Sequence, residues 1–170
     1  CCPEPGCLDN VALLATNPQN FFTKIASAGN VSVEYSELCV GEGSSTHAYY
    51  VRGEEEGIKK ALRFIEESKS VKKNTIFVQN AKEVAGILSI EGQSAVECLA
   101  KNHVYPYRPF RVRHDALEIF LFAKDKANLL KAFSQLQNEV GERNVHGESL
   151  EHMELSPKEF LHPFAFSMLG

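Results

Sequence analysis

The sequence predicts an α+β fold made of two consecutive ferredoxin-like (βαββαβ) repeats, each an antiparallel sheet with its helices on one face. Residues 10–78 and 84–154 divide into the same order of strands and helices, with matching pieces about 72 residues apart. The strands are short apolar or alternating runs, and the helices carry an apolar stripe on one side. The sequence therefore predicts four segments. They are a cysteine-rich N-terminal segment at 1–9, a first repeat at 10–80, a second repeat at 81–155, and an apolar tail or linker to a further domain at 156–170.

The first repeat opens with an apolar strand at 11–15. Asn17 is predicted to cap the first helix, with Pro18 at the first helical position. Gly29 and Asn30 are typical of a helix end. A two-residue period in the strands and an apolar stripe in the helix predict the remaining elements, which are strands at 31–38, 47–52 and 75–78 and a helix from 54.

The second repeat follows the same order with one irregular strand. Residues 104–112 are predicted to be extended, because Pro106 and Pro109 disfavour a helix and are typical of an edge or bulged strand. Asp125 is predicted to cap the long second helix. The other predicted elements are strands at 84–90, 117–122 and 145–153 and helices at 93–101 and 126–140.

Composition restricts the class of protein and its partners. In 170 residues, 44% are hydrophobic and 24% are charged, which is normal for a globular protein. The net charge is −4, whereas a chain that holds nucleic acid by itself usually has a basic face. No apolar run approaches the ~20 residues that span a membrane, so we expect no membrane partner. The odd count of five cysteines disfavours a complete disulfide framework and predicts a cytoplasmic protein with buried free thiols at Cys39 and Cys98.

Three stretches of the second half resemble a known family. Residues 111–115, and the strand at 117–122 with the helix at 126–140, resemble the sensor half of archaeal transcription regulators of the bacterio-opsin activator type. The segment 155–159 resembles the residues that open the helix-turn-helix of that family. In that family a ferredoxin-like pair precedes a helix-turn-helix. The resemblance implies a non-enzymatic portion that senses a ligand or forms a homodimer. It implies that DNA is bound through a domain outside this sequence, so that function is carried over to no residue here.

Arg108, Arg111 and Arg113 form one short basic cluster, interleaved with aromatic residues. Arginines in such a cluster predict a site for an anionic or acidic ligand. Two other interpretations stay open, a solvated edge strand and a surface that stacks single-stranded nucleic acid.

Cys1, Cys2 and Cys7 lie within seven residues, separated by prolines and a glycine that favour a turn. Thiolates bind zinc and other soft metals well, so the cluster predicts a metal site whose fourth ligand comes from elsewhere, for example a histidine. The alternatives are a redox switch, a terminal segment with no specific role, and a lipid-attachment cysteine.

His146 and His152 flank one predicted strand at an even separation, which places them on one face. With His103 or His114 they predict a metal or pH-sensing group, and the alternative is solvent-exposed histidine.

These observations lead to three functional hypotheses. The first is the sensor domain of a regulator that binds a small ligand, a metal or a redox signal. The second is a small metal- or thiol-dependent enzyme that uses the cysteine cluster, and the third is a dimerisation module.

Overall fold

The computed structural model of this chain describes residues 7–16, 20–92, 95–114, 116–140 and 145–154. The strands in these segments are β1 (Cys7–Thr16), β2 (Ser32–Gly41), β3 (Ser44–Arg52), β4 (Val71–Gln79), β5 (Glu83–Glu91), β6 (Tyr105–Pro106), β7 (Phe110–Arg113), β8 (Ala116–Ala123) and β9 (Val145–Glu154). The helices are α1 (Phe21–Gly29), α2 (Glu55–Glu67), α3 (Ala95–Lys101) and α4 (Lys126–Val140). None of these four helices has both the length and the apolar character that a bilayer crossing requires.

The backbone divides into two compact units, each built from separate stretches of chain. The larger unit comprises Ala15–Ala95 and Pro109–Glu118, and its strand order is β4-β5-β3-β2-β7 followed by the first residues of β8. The smaller unit comprises Cys1–Leu14, Val96–Arg108 and Ile119–Gly170. Its strand order is β8-β1-β9, with β6 also paired to β8.

The prediction of two consecutive ferredoxin-like repeats is wrong. In such a fold each four-stranded sheet takes all of its strands from one repeat. Here β5, which opens the predicted second repeat, lies between β4 and β3 in the larger unit. β1, which opens the predicted first repeat, lies between β8 and β9 in the smaller unit. The described residues instead form a predominantly antiparallel sheet with four helices, an α+β arrangement.

A tight turn explains why β5 pairs with β4. The side-chain oxygen of Asn80 accepts hydrogen bonds from the backbone N–H groups of Lys82, at 2.9 Å, and Glu83, at 3.1 Å. The antiparallel hairpin then runs from the pair Gln79↔Val84 to the pair Val71↔Ile90. Closing so short a loop loses little chain entropy, so pairing with the adjacent strand is favoured over pairing with a remote one.

Local hydrogen bonds set the ends of α1. Asn20, not the predicted Asn17, caps this helix, and its side-chain oxygen accepts from the N–H groups of Phe22, at 2.9 Å, and Thr23, at 3.2 Å. The helix ends at Gly29, and Asn30 adopts the left-handed conformation with φ of 50°. The prediction that Gly29 and Asn30 end the helix is therefore confirmed.

One face of the larger sheet is buried and the other is open. Along β2, β3, β5 and β7, buried side chains alternate with partly exposed ones, as the two-residue period of a strand requires. The helices complete the core, and α2 contributes Ile58, Ala61 and Ile65. The core residues supplied by the strands include Val33, Tyr35, Tyr49, Val51, Val84, Leu88, Phe110 and Val112. This packing leaves the alternate side chains of the same strands, among them Glu34, Tyr50 and Arg111, on the open face.

In the smaller unit, α4 has the cap that the sequence predicts. The backbone N–H of Ala127 donates to the Asp125 carboxylate at 2.8 Å. Leu129 and Ala132 of this helix are buried.

Candidate functional site

The register of three strands brings arginine side chains together on the open face of the larger unit. In the β2–β3 hairpin, Ser32 is the partner of Arg52. In the β2–β7 pair, Glu34 is the partner of Arg111, so the same antiparallel register places Arg113 beside Ser32. Ser32 thus stands between Arg52 and Arg113, on three adjacent strands about 4.8 Å apart.

These side chains line a cleft of about 100 Å³, which we name the arginine cleft. Its lining residues are Ser32, Val33, Glu34, Tyr50, Arg52, Arg111, Val112 and Arg113. Val33 and Val112 are fully buried in the core on the opposite face. Core packing therefore fixes the two strands that form the floor of the cleft.

Neighbouring carboxylates offset the positive charge of Arg111. Its Nε atom lies 3.3 Å from an oxygen of the Glu34 carboxylate. Glu118 is the partner of Arg111 on the other side, across the β7–β8 pair. The guanidinium of Arg111 is therefore flanked by two acidic residues.

Arg52 and Arg113 have a different environment. Both residues are exposed, and within the described part of the chain neither guanidinium lies within 4.0 Å of a carboxylate oxygen. The residue between them, Ser32, is short and uncharged, and its hydroxyl donates to the backbone carbonyl of Arg52 at 3.4 Å. The cleft therefore places one positive charge on each side of a small polar residue.

Hydrogen bonds hold a further acidic group, Glu83, close to this region. The hydroxyl of Tyr50 donates to the Glu83 carboxylate at 2.5 Å, and the Asn80 side-chain amide donates to the same carboxylate at 3.0 Å. The Tyr50 bond lowers the pKa of Glu83, and it raises the pKa of Tyr50. Glu83 is the cross-strand partner of Arg52, but its oxygens are engaged by Tyr50 and Asn80.

The structure brings together two of the three arginines that the sequence singles out. Arg111 and Arg113 alternate on β7 and line the same cleft. Arg108 lies in the smaller unit, where its guanidinium carbon is 5.6 Å from the ring centroid of Tyr107 and 5.4 Å from that of Phe120. Arg108 is therefore a cation–π partner of aromatic rings and does not line the arginine cleft.

Sequence reasoning missed Arg52, Glu34, Ser32 and Tyr50. Arg52 and Tyr50 lie two residues apart near the end of β3, and Ser32 and Glu34 lie two apart at the start of β2. Because the hairpin turn between the strands is short, these positions could have been paired from the sequence. The pairing of β2 with β7 is remote, and no local pattern indicates it.

The predicted metal ligands lie partly outside the described residues. Cys1 and Cys2 fall there entirely, whereas Cys7 begins β1 and His146 and His152 lie on β9. Among the described residues, no group of three or more His, Cys, Asp or Glu side chains is arranged to hold a metal ion. The metal site stays a prediction.

The prediction of a buried thiol at Cys39 is wrong. This cysteine is free and exposed. The register of β2 against β3 shifts between Glu37 and Cys39, and this irregularity takes the end of β2 out of the alternating pattern.

A serine and a histidine form a hydrogen-bonded pair inside the larger unit. The Ser45 hydroxyl and Nε2 of His47 are 2.8 Å apart, and the two residues are 3% and 6% exposed. The rings of Phe22 and Tyr35 pack against the imidazole, with centroids at 5.1 and 5.9 Å. Burial lowers the pKa of His47 to about 4 and raises that of Tyr35. This pair belongs to the core, since a substrate would have no access to it.

The comparisons with known proteins do not add to this description. No family model matches the chain, and no curated protein matches it either. The functional proposal therefore depends on the arginine cleft. Its chemistry is recognition of a negatively charged group by guanidinium donors.

Proposed function

We propose that this chain is a ligand-sensing regulatory domain whose larger unit binds a small anionic molecule in the arginine cleft. The supporting observation is that Arg52 and Arg113 flank Ser32 without an ion-pair partner among the described residues. A guanidinium offers five N–H donors in a planar fork, which suits carboxylates and phosphates. An anion between the two arginines would offset the repulsion between their charges.

The lining favours binding over catalysis. The hydroxyl of Ser32 donates to a backbone carbonyl, and that of Tyr50 donates to Glu83. The Ser32 hydroxyl thus faces a backbone carbonyl and not a side-chain base that could activate it as a nucleophile. The carboxylate of Glu83 raises the pKa of the Tyr50 hydroxyl, which disfavours the phenolate that would act as a nucleophile. The regulatory part of the proposal rests on the sequence resemblance to bacterio-opsin-activator-type regulators, which would leave DNA contact to another domain.

The test is a thermal unfolding series with small anions at constant ionic strength. A ligand that binds the folded state raises the unfolding midpoint, and we expect at least one anion to do so in the unsubstituted protein. Arg113→Gln should abolish this increase because it removes one side of the cleft. Arg63→Gln is the matched control, since Arg63 is an exposed residue of α2 outside the cleft lining.

Two results would contradict the proposal. One is that no anion raises the midpoint beyond the effect of sodium chloride at the same ionic strength. The other is an increase that survives in Arg113→Gln, which would place the anion elsewhere.

A further inference from the structure

We infer that the ligand group held in the arginine cleft is a tetrahedral oxyanion, the phosphate of a monoester or inorganic phosphate, which bridges Arg52 and Arg113 above Ser32. This inference rests on the proposed function, because it specifies the chemistry of the anion in the same cleft.

The guanidinium donors of the cleft approach a bound ligand from two opposite sides. Arg52 and Arg113 lie on opposite sides of Ser32, two strand spacings or about 10 Å apart at the backbone. A carboxylate has two oxygens in one plane, and a single bidentate guanidinium can engage both of them from one side. A phosphate group has oxygens on several sides, so two opposed guanidiniums can each engage it.

Positive charge in the cleft remains unmatched among the described residues. Glu34 pairs with Arg111, and Glu118 is the partner of Arg111 on the next strand. In the described part of the chain, Arg52 and Arg113 have no ion-pair partner and can meet the ligand. A phosphate monoester carries about −1.5 to −2 charges at pH 7. Glu83 is the cross-strand partner of Arg52 and offsets part of its field, so Arg113 should contribute the larger share of the binding.

The size of the cleft suits a phosphate group. A cavity of about 150 Å³ can hold a benzene molecule, so a cleft of about 100 Å³ has room for one phosphate group. The rest of a monoester would extend over the open face of the sheet.

The experiment is an NMR titration of the ¹⁵N-labelled full chain at constant ionic strength. The probes are inorganic phosphate, glycerol 3-phosphate, sulfate and acetate, followed at the backbone amides of Ser32 and Arg113. The variants are Arg52→Gln, Arg113→Gln and the control Arg63→Gln, each first checked for an unchanged spectrum elsewhere.

We expect the tetrahedral anions to bind at least about tenfold more tightly than acetate. Arg113→Gln should weaken phosphate binding by at least about tenfold, and Arg52→Gln by less, as expected for loss of a charged hydrogen bond. Arg63→Gln should change nothing. Tighter binding of glycerol 3-phosphate than of phosphate would assign the site to monoesters, and equal binding would assign it to the phosphate group alone.

The outcomes separate this inference from the proposed function. Acetate binding as tightly as phosphate, with the same dependence on Arg52 and Arg113, would overturn the tetrahedral oxyanion and leave the anion-binding function standing. No shift at Ser32 or Arg113 with any of the four anions would overturn both.

Discussion

His47 illustrates how the burial of one side chain creates a pH dependence of stability. Burial among Phe22, Tyr35 and Ser45 lowers the pKa of His47 to about 4, whereas an unfolded histidine has a pKa near 6.5. Between these values the unfolded chain binds more protons, so stability is full above about pH 6.5 and falls as the pH drops towards 4. We expect His47 alone to reduce the free energy of unfolding by about 2 kcal/mol between pH 7.5 and pH 5.

Urea unfolding at the two pH values measures this effect as a difference between variants. His47→Gln removes the titrating group, so its loss of stability on acidification should be smaller than that of the unsubstituted protein by about 2 kcal/mol. His103→Asn is the control, because His103 is exposed and has a φ of 58° that asparagine tolerates. If His47→Gln and the unsubstituted protein lose the same amount, the buried neutral imidazole is not the cause.

At the scale of elements, the contact between α1 and α2 depends on two glycines. A Cβ atom added to Gly57 would lie 2.5 Å from the backbone oxygen of Gly29, and one added to Gly29 would meet the backbone oxygen of Gly57. Alanine normally stabilises a helix relative to glycine by about 1 kcal/mol. Here the sign should reverse, because the clashing atom is backbone and cannot turn aside. We expect Gly57→Ala to lower the free energy of unfolding by about 1–3 kcal/mol.

Gly41→Ala provides the comparison for a urea or thermal unfolding measurement. The nearest atom to its added Cβ is the flexible Ser44 hydroxyl at 3.3 Å, so we expect a change within about 0.5 kcal/mol. If Gly57→Ala is as stable as Gly41→Ala, α1 and α2 can move apart without a loss in the free energy of unfolding, and the expectation is wrong.

The sequence predicts the helices and strands better than it predicts their neighbours. Periodicity and caps are local, and the prediction of strand β8, of the end of α1 and of the Asp125 cap follows from them. Strand order depends on the competition between pairings that are distant in the chain. The Asn80 turn favours the pairing of β4 with β5. The prediction of two repeats assigned these strands to different sheets and did not take the turn into account.

The residues of the candidate site can likewise be predicted from the sequence only where the pattern is local. The sequence predicts Arg111 and Arg113 because they belong to one short basic cluster, and alternation on β7 places both on the same face. Arg52 was missed because its position beside Ser32 matters only once β2 lies next to β7. Arg108 was included because it is close in the chain, although it lies in the other unit.

At the scale of the whole molecule, the chain supplies each unit with segments from both predicted repeats. The larger unit contains β5 between β4 and β3, and the smaller one contains β1 between β8 and β9. A fragment ending at residue 80 would lack β5, so the edges of β3 and β4 that pair with it would be left open. Since strands with unpaired backbone N–H and C=O groups are prone to aggregate, we expect the two predicted repeats not to be separable pieces.

An engineered disulfide can test this strand order directly. Ala48 and Ile87 are Cα partners in the β3–β5 pair, on the open face. Facing residues of antiparallel strands have Cα atoms about 4.5–5.5 Å apart, within the range of a disulfide. In a background with the native cysteines replaced by serine, Ala48→Cys with Ile87→Cys should cross-link under mild oxidation. Mass spectrometry of the peptides would detect the link, and the closed loop should raise the free energy of unfolding by about 3 kcal/mol.

The control for this cross-link is Ser36→Cys with Ile87→Cys. Ser36 is the partner of Ala48 on β2, so it lies two strands from Ile87, about 10 Å away and beyond the reach of a disulfide. In two consecutive repeats, β1 and not β5 would lie beside β3. Ala48→Cys with Ile87→Cys would then also fail to cross-link. Because a link between residues 48 and 87 requires β5 to lie beside β3, the two pairs together distinguish the interleaved chain from a simple duplication.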